Sequence, residues 1–569
     1  MGKVLPIGLD NFRDLRTREK ENYYVDKTLM IKDFLDYGNV VSLITRPRRF
    51  GKTLNVTMLR DFFDIEQDSL SIFDGLNIMK TAYANQINQR PVIFLTFENC
   101  CGKTVEMMKN SLAHVVKDEY FRYEAIFAGH VDFESTAYHE FYSIFTTLKK
   151  ISEIEEDKEG MWQVSRMPDE MLKRSLVVLT QAVANFYDKK SLLLIDDYDQ
   201  PLIKAHEMGY GESFSKEMYG SFLGNALKGN DYLEQALLTG VQRVAKESIF
   251  SEINNFIVYT VLDHQYASYF GFDTDETQEL LEHYDLELNE EVTSYYGGYL
   301  FAGVDIYNPW SILNYVNKKK LQSYWMNTLT TELIRESVPV ADAFFHRSFE
   351  KLIANGRVAV RMSLDASFIE LSKTETLWGL FVNAGYLTVT HADYHLKRFM
   401  VRIPNEEIKR EFELIVSEYT KLSNEMLQEM YLALIDGYMN EFLSLYRDLV
   451  LESTSFHGSR ENAKLHSSYE ALHMLFFGMV MNLRELYDIT SNIEFGDDRN
   501  GIVMRSKDAS RIHIIIEFKQ GADVERLKYE ALKQIHENAY YTGLRGKILC
   551  VGIAYGEKIC QLISEVMER

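Results

Sequence analysis

The sequence predicts a multidomain α/β protein: a parallel sheet first, a mostly helical middle, and a smaller α/β domain last. Three observations predict it. Short apolar runs alternate with helical stretches through the first 275 residues, as buried parallel strands and their crossover helices do. Helical spacing dominates from about 276 to 430. The final part of 431–569 reads as α-β-β-β-α-β-α. At 569 residues the chain is also too long for one core.

The elements follow in order. Residues 38–45 (GNVVSLIT) read as a buried strand ending in a loop, and Thr53–Phe63 as the helix after it. Residues 91–97 (PVIFLTF), 191–196 (SLLLID) and Leu233–Thr239 are further short apolar strands. A strand-like piece stands at Tyr386–Thr390. Near the end, Ser467–Leu486 has helical periodicity and Ile489–Phe495 reads as a strand. Gly501–Arg505 and Ile512–Phe518 form a hairpin around Lys507–Ser510. Asp523–Tyr541 is an amphipathic helix, Lys547–Ala554 a strand and Lys558–Met567 a final helix. The domains expected are 1–275, 276–430 and 431–569.

Composition narrows the function classes. With 35 Tyr, 34 Phe and 8 Pro, the chain builds packed cores and is not disordered. A net charge of −22 excludes a globally basic surface for nucleic acid. The charge is uneven, however: residues 460–569 carry 15 Lys+Arg against 16 Asp+Glu. That segment approaches a polyanion at less electrostatic cost than the rest. Cys100, Cys101, Cys550 and Cys560 lack zinc-ligand spacing and read as thiols of a reducing compartment. The start, MGKVLPIGLD, has no apolar signal core, and the longest apolar stretch, around Met474–Met481, is too short to span a bilayer. A cytoplasmic protein with no membrane association is expected, with a homo-oligomer or protein partner compatible with the sequence.

The first chemical motif is Arg46-Pro47-Arg48-Arg49-Phe50-Gly51-Lys52-Thr53, between a strand and a helix. It follows the phosphate-loop pattern G-x-x-x-x-G-K-[ST], with Arg46 in place of the first glycine. Arg48, Arg49, Phe50 and Gly51 are expected around the phosphates, with Gly51 allowing close backbone approach. Lys52 is expected to reach the β- and γ-phosphates, and Thr53 to place its hydroxyl on Mg²⁺. A second element, Leu192-Leu193-Leu194-Ile195-Asp196-Asp197, is an apolar strand ending in two carboxylates. Asp196 is assigned to magnesium and Asp197 to the attacking water. Leu237-Leu238-Thr239-Gly240-Val241-Gln242-Arg243 is another strand running into a loop. Thr239 would sense the γ-phosphate, and Arg243 would neutralise transition-state charge. The expected cofactors are ATP and Mg²⁺.

These motifs resemble the AAA-ATPase-like family, a prokaryotic group with a C-terminal domain of the PD-(D/E)XK nuclease superfamily. The resemblance rests on RPRRFGKT, PIGLDNF, YYVDKT at 23–28, LLIDDYDQP at 193–201, and TGVQR followed by SIFSEINN. YYGGY at 295–299, YNPWSILNY at 307–315, AGYLT at 384–388 and IPNEE at 403–407 extend it over nearly the whole chain. It implies a P-loop ATPase of AAA/STAND-like type, a helical middle domain and a restriction-endonuclease-like domain. The family usually reads Asp-Glu where this chain has Asp196-Asp197, and Asp-Gly at Gly297-Gly298. The shorter Asp197 implies slow hydrolysis.

The second chemical motif is Ile514-Ile515-Ile516-Glu517-Phe518-Lys519, where period two puts Glu517 and Lys519 on one face of a strand. A carboxylate beside an ammonium suits metal-dependent phosphodiester cleavage, with Glu517 holding Mg²⁺ and Lys519 stabilising charge. Related nucleases carry a Gln and a Tyr near the DNA backbone on the next helix, which implies that role for Gln534 and Tyr540. A hairpin centred near 508.5 sets Glu517 opposite Asn500 and its neighbour Gly501. The family pattern places an Asp at Gly501, so the metal shell is one acid short unless Glu470 or Asp498 completes it. The expectation is an ATP-binding protein, a slow ATPase, whose nucleotide state controls a nuclease-type domain acting on nucleic acid. The rival expectation is an ATP-dependent interaction switch with an inactive nuclease fold as binding module.

Overall fold

The computed structural model describes residues 3–17, 21–124, 136–151, 154–156, 162–164, 166–244, 256–325, 334, 337–338, 341–366, 373–419, 424–455, 473, 476–477, 479–480, 483–484, 486–493, 500–556 and 559–569. Two compact units emerge. The first comprises Met1–Asn327 with Ser363–Leu371 and Gly379–Thr388; the second is Thr328–Met362, Ser372–Trp378 and Val389–Arg569. The segment 276–430 is therefore shared between them, and it carries short strands as well as helices.

The first unit is built on five parallel strands: β1 (Val41–Thr45), β2 (Val92–Thr96), β3 (Ser191–Asp196), β4 (Leu233–Gly240) and β5 (Phe256–Tyr259). Their order across the sheet is β2-β3-β4-β1-β5. Every residue of β1 and β3 is buried, as both-face coverage by helices requires. The helix α1 (Lys52–Phe63) leaves the end of β1. The carboxyl ends of β1, β3 and β4 thus lie side by side, where α/β sheets collect their ligands.

The second unit contains a mixed sheet in the order β6 (Tyr487–Ile493), β7 (Asn500–Ser506), β8 (His513–Gln520), β9 (Lys547–Tyr555) and β10 (Cys560–Glu568). β8 and β9 are parallel, and the other neighbours are antiparallel. The helix expected at 558–567 is instead β10, paired with β9 at all nine positions. Backbone pairing with an open strand edge outweighs the local helical spacing. The first helix expected here, Ser467–Leu486, lies largely outside the described residues.

The helix α2 (Val524–Glu537) covers one face of this sheet. Its Leu532 and Ile535 join Ile515 and Cys550 of the sheet in one buried cluster. Ile514, Ile516 and Phe518 point to the opposite face and join Phe476 and Val551 in the larger core. α2 sits so close that a Cβ on Gly552 would lie 2.4 Å from the Lys528 carbonyl oxygen and 2.7 Å from Leu532 N. Only glycine fits there.

Candidate functional site

At the carboxyl end of the parallel sheet, Asp196 stands at the centre of a hydrogen-bonded cluster. Thr53 Oγ1 donates to its Oδ2 at 2.6 Å, and Thr239 Oγ1 donates to its Oδ1 at 2.5 Å. Burial, followed by the charge of Asp197, pushes the Asp196 carboxyl up to about 6; the two threonine bonds and Lys52 oppose this. Lys52 Nζ folds back over the loop, donating to the carbonyls of Pro47 (3.1 Å) and Arg46 (3.3 Å). Its burial lowers its pKa. Gly51 adopts φ 83°, the left-handed conformation that starts the helix.

The neighbouring acids divide the work. Asp197 has φ 50°, a conformation that Asp tolerates better than most side chains. Asp199, to which the motifs assign no role, is buried and accepts from the backbone N–H of Val241 (3.0 Å) and Gln242 (2.7 Å). It clamps the loop after β4 against the end of β3. Tyr198 reinforces the clamp through its hydroxyl, which donates to Gln242 O at 2.6 Å. A Cβ on Gly240 would come within 2.5 Å of Asp199 Oδ1, so this approach also needs glycine. Burial and the nearby Asp197 push Asp199 up to about 6. Its signal in sequence was an acid three residues past Asp196, just before Pro201.

The remaining loop residues go to different places. Arg48 Nη2 donates to Gln200 Oε1 at 3.4 Å, keeping it beside the end of β3. The Arg49 guanidinium lies 4.4 Å from the centre of the Trp310 ring and donates to Tyr324 O at 3.0 Å. Phe50 is fully buried against Tyr299 and Phe301, so its side chain serves the core. Arg46, in the position of the absent glycine, is fully buried with its guanidinium over the rings of Phe270 (5.3 Å) and Phe301 (5.4 Å). Its Nη1 donates to Thr45 O (2.8 Å) and Tyr259 O (3.1 Å). Burial lowers its pKa to about 9. Arg243 lies in a two-residue strand, Arg243–Val244, paired with Asp365–Ala366.

In the second unit, Gly501 pairs directly with Glu517, one residue from the Asn500 pairing at the centre of the expected hairpin. Glu517 is fully buried on the α2 side of β8, with Lys519 two residues along the same face. A Cβ on Gly501 would lie 2.8 Å from Glu517 Oε2 and 3.0 Å from Cε2 of Tyr540. Gln534, Asn538 and Glu517 all reach the Tyr540 hydroxyl, with Asn538 Nδ2 at 3.3 Å. Burial, then the Glu517 charge, raises the Tyr540 pKa. His473 packs on Phe518, on the other face of β8. Glu470 and Asp498 lie outside the described residues.

A divalent cation fits the first of these sites better than the second. Mg²⁺ commonly takes one carboxylate and a hydroxyl, with phosphate oxygens and water filling the rest, and Asp196 with Thr53 match that donor set. Among the described residues, Glu517 is a single acid facing a glycine and supplies fewer oxygen ligands. Among the described residues no group of three His, Cys, Asp or Glu side chains converges on one point. No described helix is long and apolar enough to cross a membrane.

Comparison with known proteins matches two stretches of the chain to families. Residues 6–250 match a family described as "Predicted AAA-ATPase" (AAA-ATPase-like). Residues 469–565 match the PD-(D/E)XK nuclease superfamily. The chain is also 25% identical over 418 residues to an uncharacterized protein in the vnfD 5′ region of Azotobacter chroococcum mcd 1, a match spanning 72% of this chain and 68% of that one.

Proposed function

From a chain that carries an AAA-ATPase-like domain at 6–250 and a PD-(D/E)XK nuclease superfamily domain at 469–565, we propose a nucleotide-controlled nuclease-type protein. In this reading the first domain binds ATP with Mg²⁺ and hydrolyses it slowly, and its nucleotide state governs what the second does to nucleic acid. The observation that carries it is the cluster of Thr53, Thr239 and Lys52 around Asp196 at the carboxyl end of the sheet.

The residues of this chain then act as follows. Lys52 leaves the loop carbonyls for the β- and γ-phosphates. Gly51 and the first turn of α1 present backbone N–H groups to them. Thr53 and Asp196 would hold the cation, which would supply charge neutralisation to the phosphates. Asp197 orients the attacking water, and Asp199 keeps the loop carrying Gln242 and Arg243 in register with it. In the second domain, Glu517 would hold a cation that supplies charge neutralisation, Lys519 would stabilise the developing charge, and Gln534 and Tyr540 would contact the nucleic-acid backbone.

Titration calorimetry with Mg·ATP tests the first half: wild type binds, and Lys52→Ala does not. A cleavage assay on single- and double-stranded DNA and RNA, with and without ATP, tests the second. Cleavage that depends on nucleotide in wild type, and loses that dependence in Lys52→Ala, supports the proposal. Cleavage indifferent to nucleotide removes the control, and no cleavage of any substrate leaves the second domain a binding module.

A further inference from the structure

A small sheet, all of it but Thr388 in the second unit, is formed by the strands Arg357–Arg361, Thr388–Asp393 and Arg398–Arg402, with Arg398–Arg402 in the middle. Val358, Val360, Val389, Phe399 and Val401 are buried beneath it. The alternate residues form the outer face, on which Arg357, Arg361, Thr390 and Arg398 are exposed and Thr388 is buried. Arg357 pairs directly with Arg402, and Arg361 with Arg398. Cross-strand partners sit about 5 Å apart at Cβ, where like charges oppose each other.

Arg357, Arg361 and Arg398 are exposed, and none makes an ion pair or side-chain hydrogen bond among the described residues. No carboxylate occupies an outer-face position of the three strands. Asp393, on the other parity, accepts from the backbone N–H of His395 and Leu396. In a chain of net charge −22, Arg357, Arg361 and Arg398, exposed and without an acid partner among the described residues, make a local positive patch that draws an anionic ligand. Beside it, the turn at 394–397 holds out Tyr394 (65% exposed) and Leu396 (63% exposed) with Lys397.

We propose that this arginine face is a docking surface for duplex DNA, with the 394–397 turn entering the minor groove. The two arginine pairs are four residues apart along the strands, about 13 Å. That spacing reaches across a minor groove about 6 Å wide to phosphates on both sides. Exposed aromatic and aliphatic residues on a turn suit partial insertion between base steps. The helix Ala343–Asn355 packs on the Arg357–Arg361 strand and on β6, and its Ile353 joins the core beneath the nuclease-like sheet. The surface therefore belongs to the same body as Glu517. The proposal extends the nucleic-acid reading of the C-terminal domain but stands apart from whether that domain cuts.

The test is fluorescence anisotropy of a duplex DNA of about 25 bp with the full chain in EDTA, across a salt series. The triple substitution Arg357→Gln, Arg361→Gln, Arg398→Gln removes three phosphate contacts. Between 50 and 200 mM salt, wild type should lose about 40-fold more affinity than this variant, from a slope of about 0.9 per contact. Unchanged thermal stability and Mg·ATP affinity show that the variant is folded. Tyr394→Ser with Leu396→Ser should weaken binding equally at every salt concentration. An RNA duplex of the same sequence, whose minor groove is wide and shallow, should bind less tightly. Equal salt slopes in wild type and the triple variant, or no duplex binding by wild type at 50 mM salt, overturn the proposal. Glu517→Ala separates the two readings: it abolishes cleavage and leaves the salt slope unchanged. A protein that never cuts but keeps the arginine-dependent slope retains the surface and loses only the nuclease reading.

Discussion

Thr53 and Asp196 stand 143 positions apart in the chain and share a 2.6 Å hydrogen bond. This bond joins the first turn of α1 to the end of β3, and it places a hydroxyl and a carboxylate where one cation can touch both. Thr53→Val keeps the shape and removes the hydroxyl. A hydrogen bond to a charged group is worth about 1.5–3 kcal/mol, so Mg·ATP affinity should fall about 10- to 100-fold. Thr53→Ser should retain most of the affinity. Calorimetry with and without Mg²⁺ checks this, and the gap between variants should close without the metal.

Asp199 gives a pH signature. Its carboxyl is pushed up to about 6 by burial, against an ordinary value of 3.8, so the folded state holds a proton that the unfolded state has released between those values. Stability therefore falls as pH rises through that window and is level above it. Asp199→Asn keeps an acceptor for Val241 and Gln242 and cannot ionise. Relative to this variant, wild type should lose about 2 kcal/mol between pH 4 and pH 6.5, at 1.36 kcal/mol per unit of pKa shift. Urea unfolding of the first unit across pH measures the difference, and parallel curves would refute it.

Arg46 predicts the opposite of what the phosphate-loop pattern suggests. Arg46→Gly restores the common glycine, but it empties the space between Phe270 and Phe301 and frees two carbonyls. It should destabilise the first unit by about 2–5 kcal/mol, the scale of a large-to-small change in a core. Arg46→Met, which refills the space without a buried charge, should cost less. Thermal unfolding ranks the three.

Asp197 occupies a left-handed backbone conformation, which an Asp side chain tolerates better than a Glu. Asp197→Glu should lengthen the reach to water and speed ATP turnover, since a 1 Å misplacement costs about 10²-fold. It should also lower the melting temperature. Faster turnover with unchanged stability would contradict the backbone argument, and unchanged or slower turnover would contradict the water-orienting role.

Gly501 cannot simply be exchanged for the family's Asp. Its Cβ would press on both Glu517 Oε2 and the Tyr540 ring. Gly501→Asp should add little metal-dependent cleavage, whereas Gly501→Asp with Tyr540→Ala makes room for the second acid and should raise it. Adding Glu517→Ala should abolish the gain. A nuclease assay on the four proteins decides, and a full gain from Gly501→Asp without the Tyr540 change would show that the ring yields freely.

The readable parts of this chain were those where one physical demand acts. β1 and β3 are buried on both faces, and a fully buried strand announces itself as an unbroken apolar run. The hairpin of β7 and β8 is legible from its turn, but its register is one residue off: the turn sets Glu517 opposite Asn500, and Glu517 pairs with Gly501. β10 was misread because Leu562, Ile563, Val566 and Met567 carry helix-like spacing, while its half-exposed positions show no alternation. Arg49 and Phe50 are assigned to phosphate by adjacency in sequence, yet their side chains go to aromatic partners far along the chain, as does that of Arg46. Asp199 was missed because its partners, the N–H groups of Val241 and Gln242, carry no side-chain signature.

The strand order of the first sheet sets a timetable for synthesis. β1 leaves the ribosome early, but its neighbours β4 and β5 follow only about 195 and 215 positions later, with Val41 meeting Ala236 and Phe256. At about 5–20 residues per second, that is roughly 10–40 s during which Val-Ser-Leu-Ile-Thr has no strand beside it. The nascent chain therefore displays an unpaired, aggregation-prone edge through much of translation. Slowed elongation or a saturated chaperone pool should reduce soluble yield through this segment before it affects the locally paired hairpin of β7 and β8.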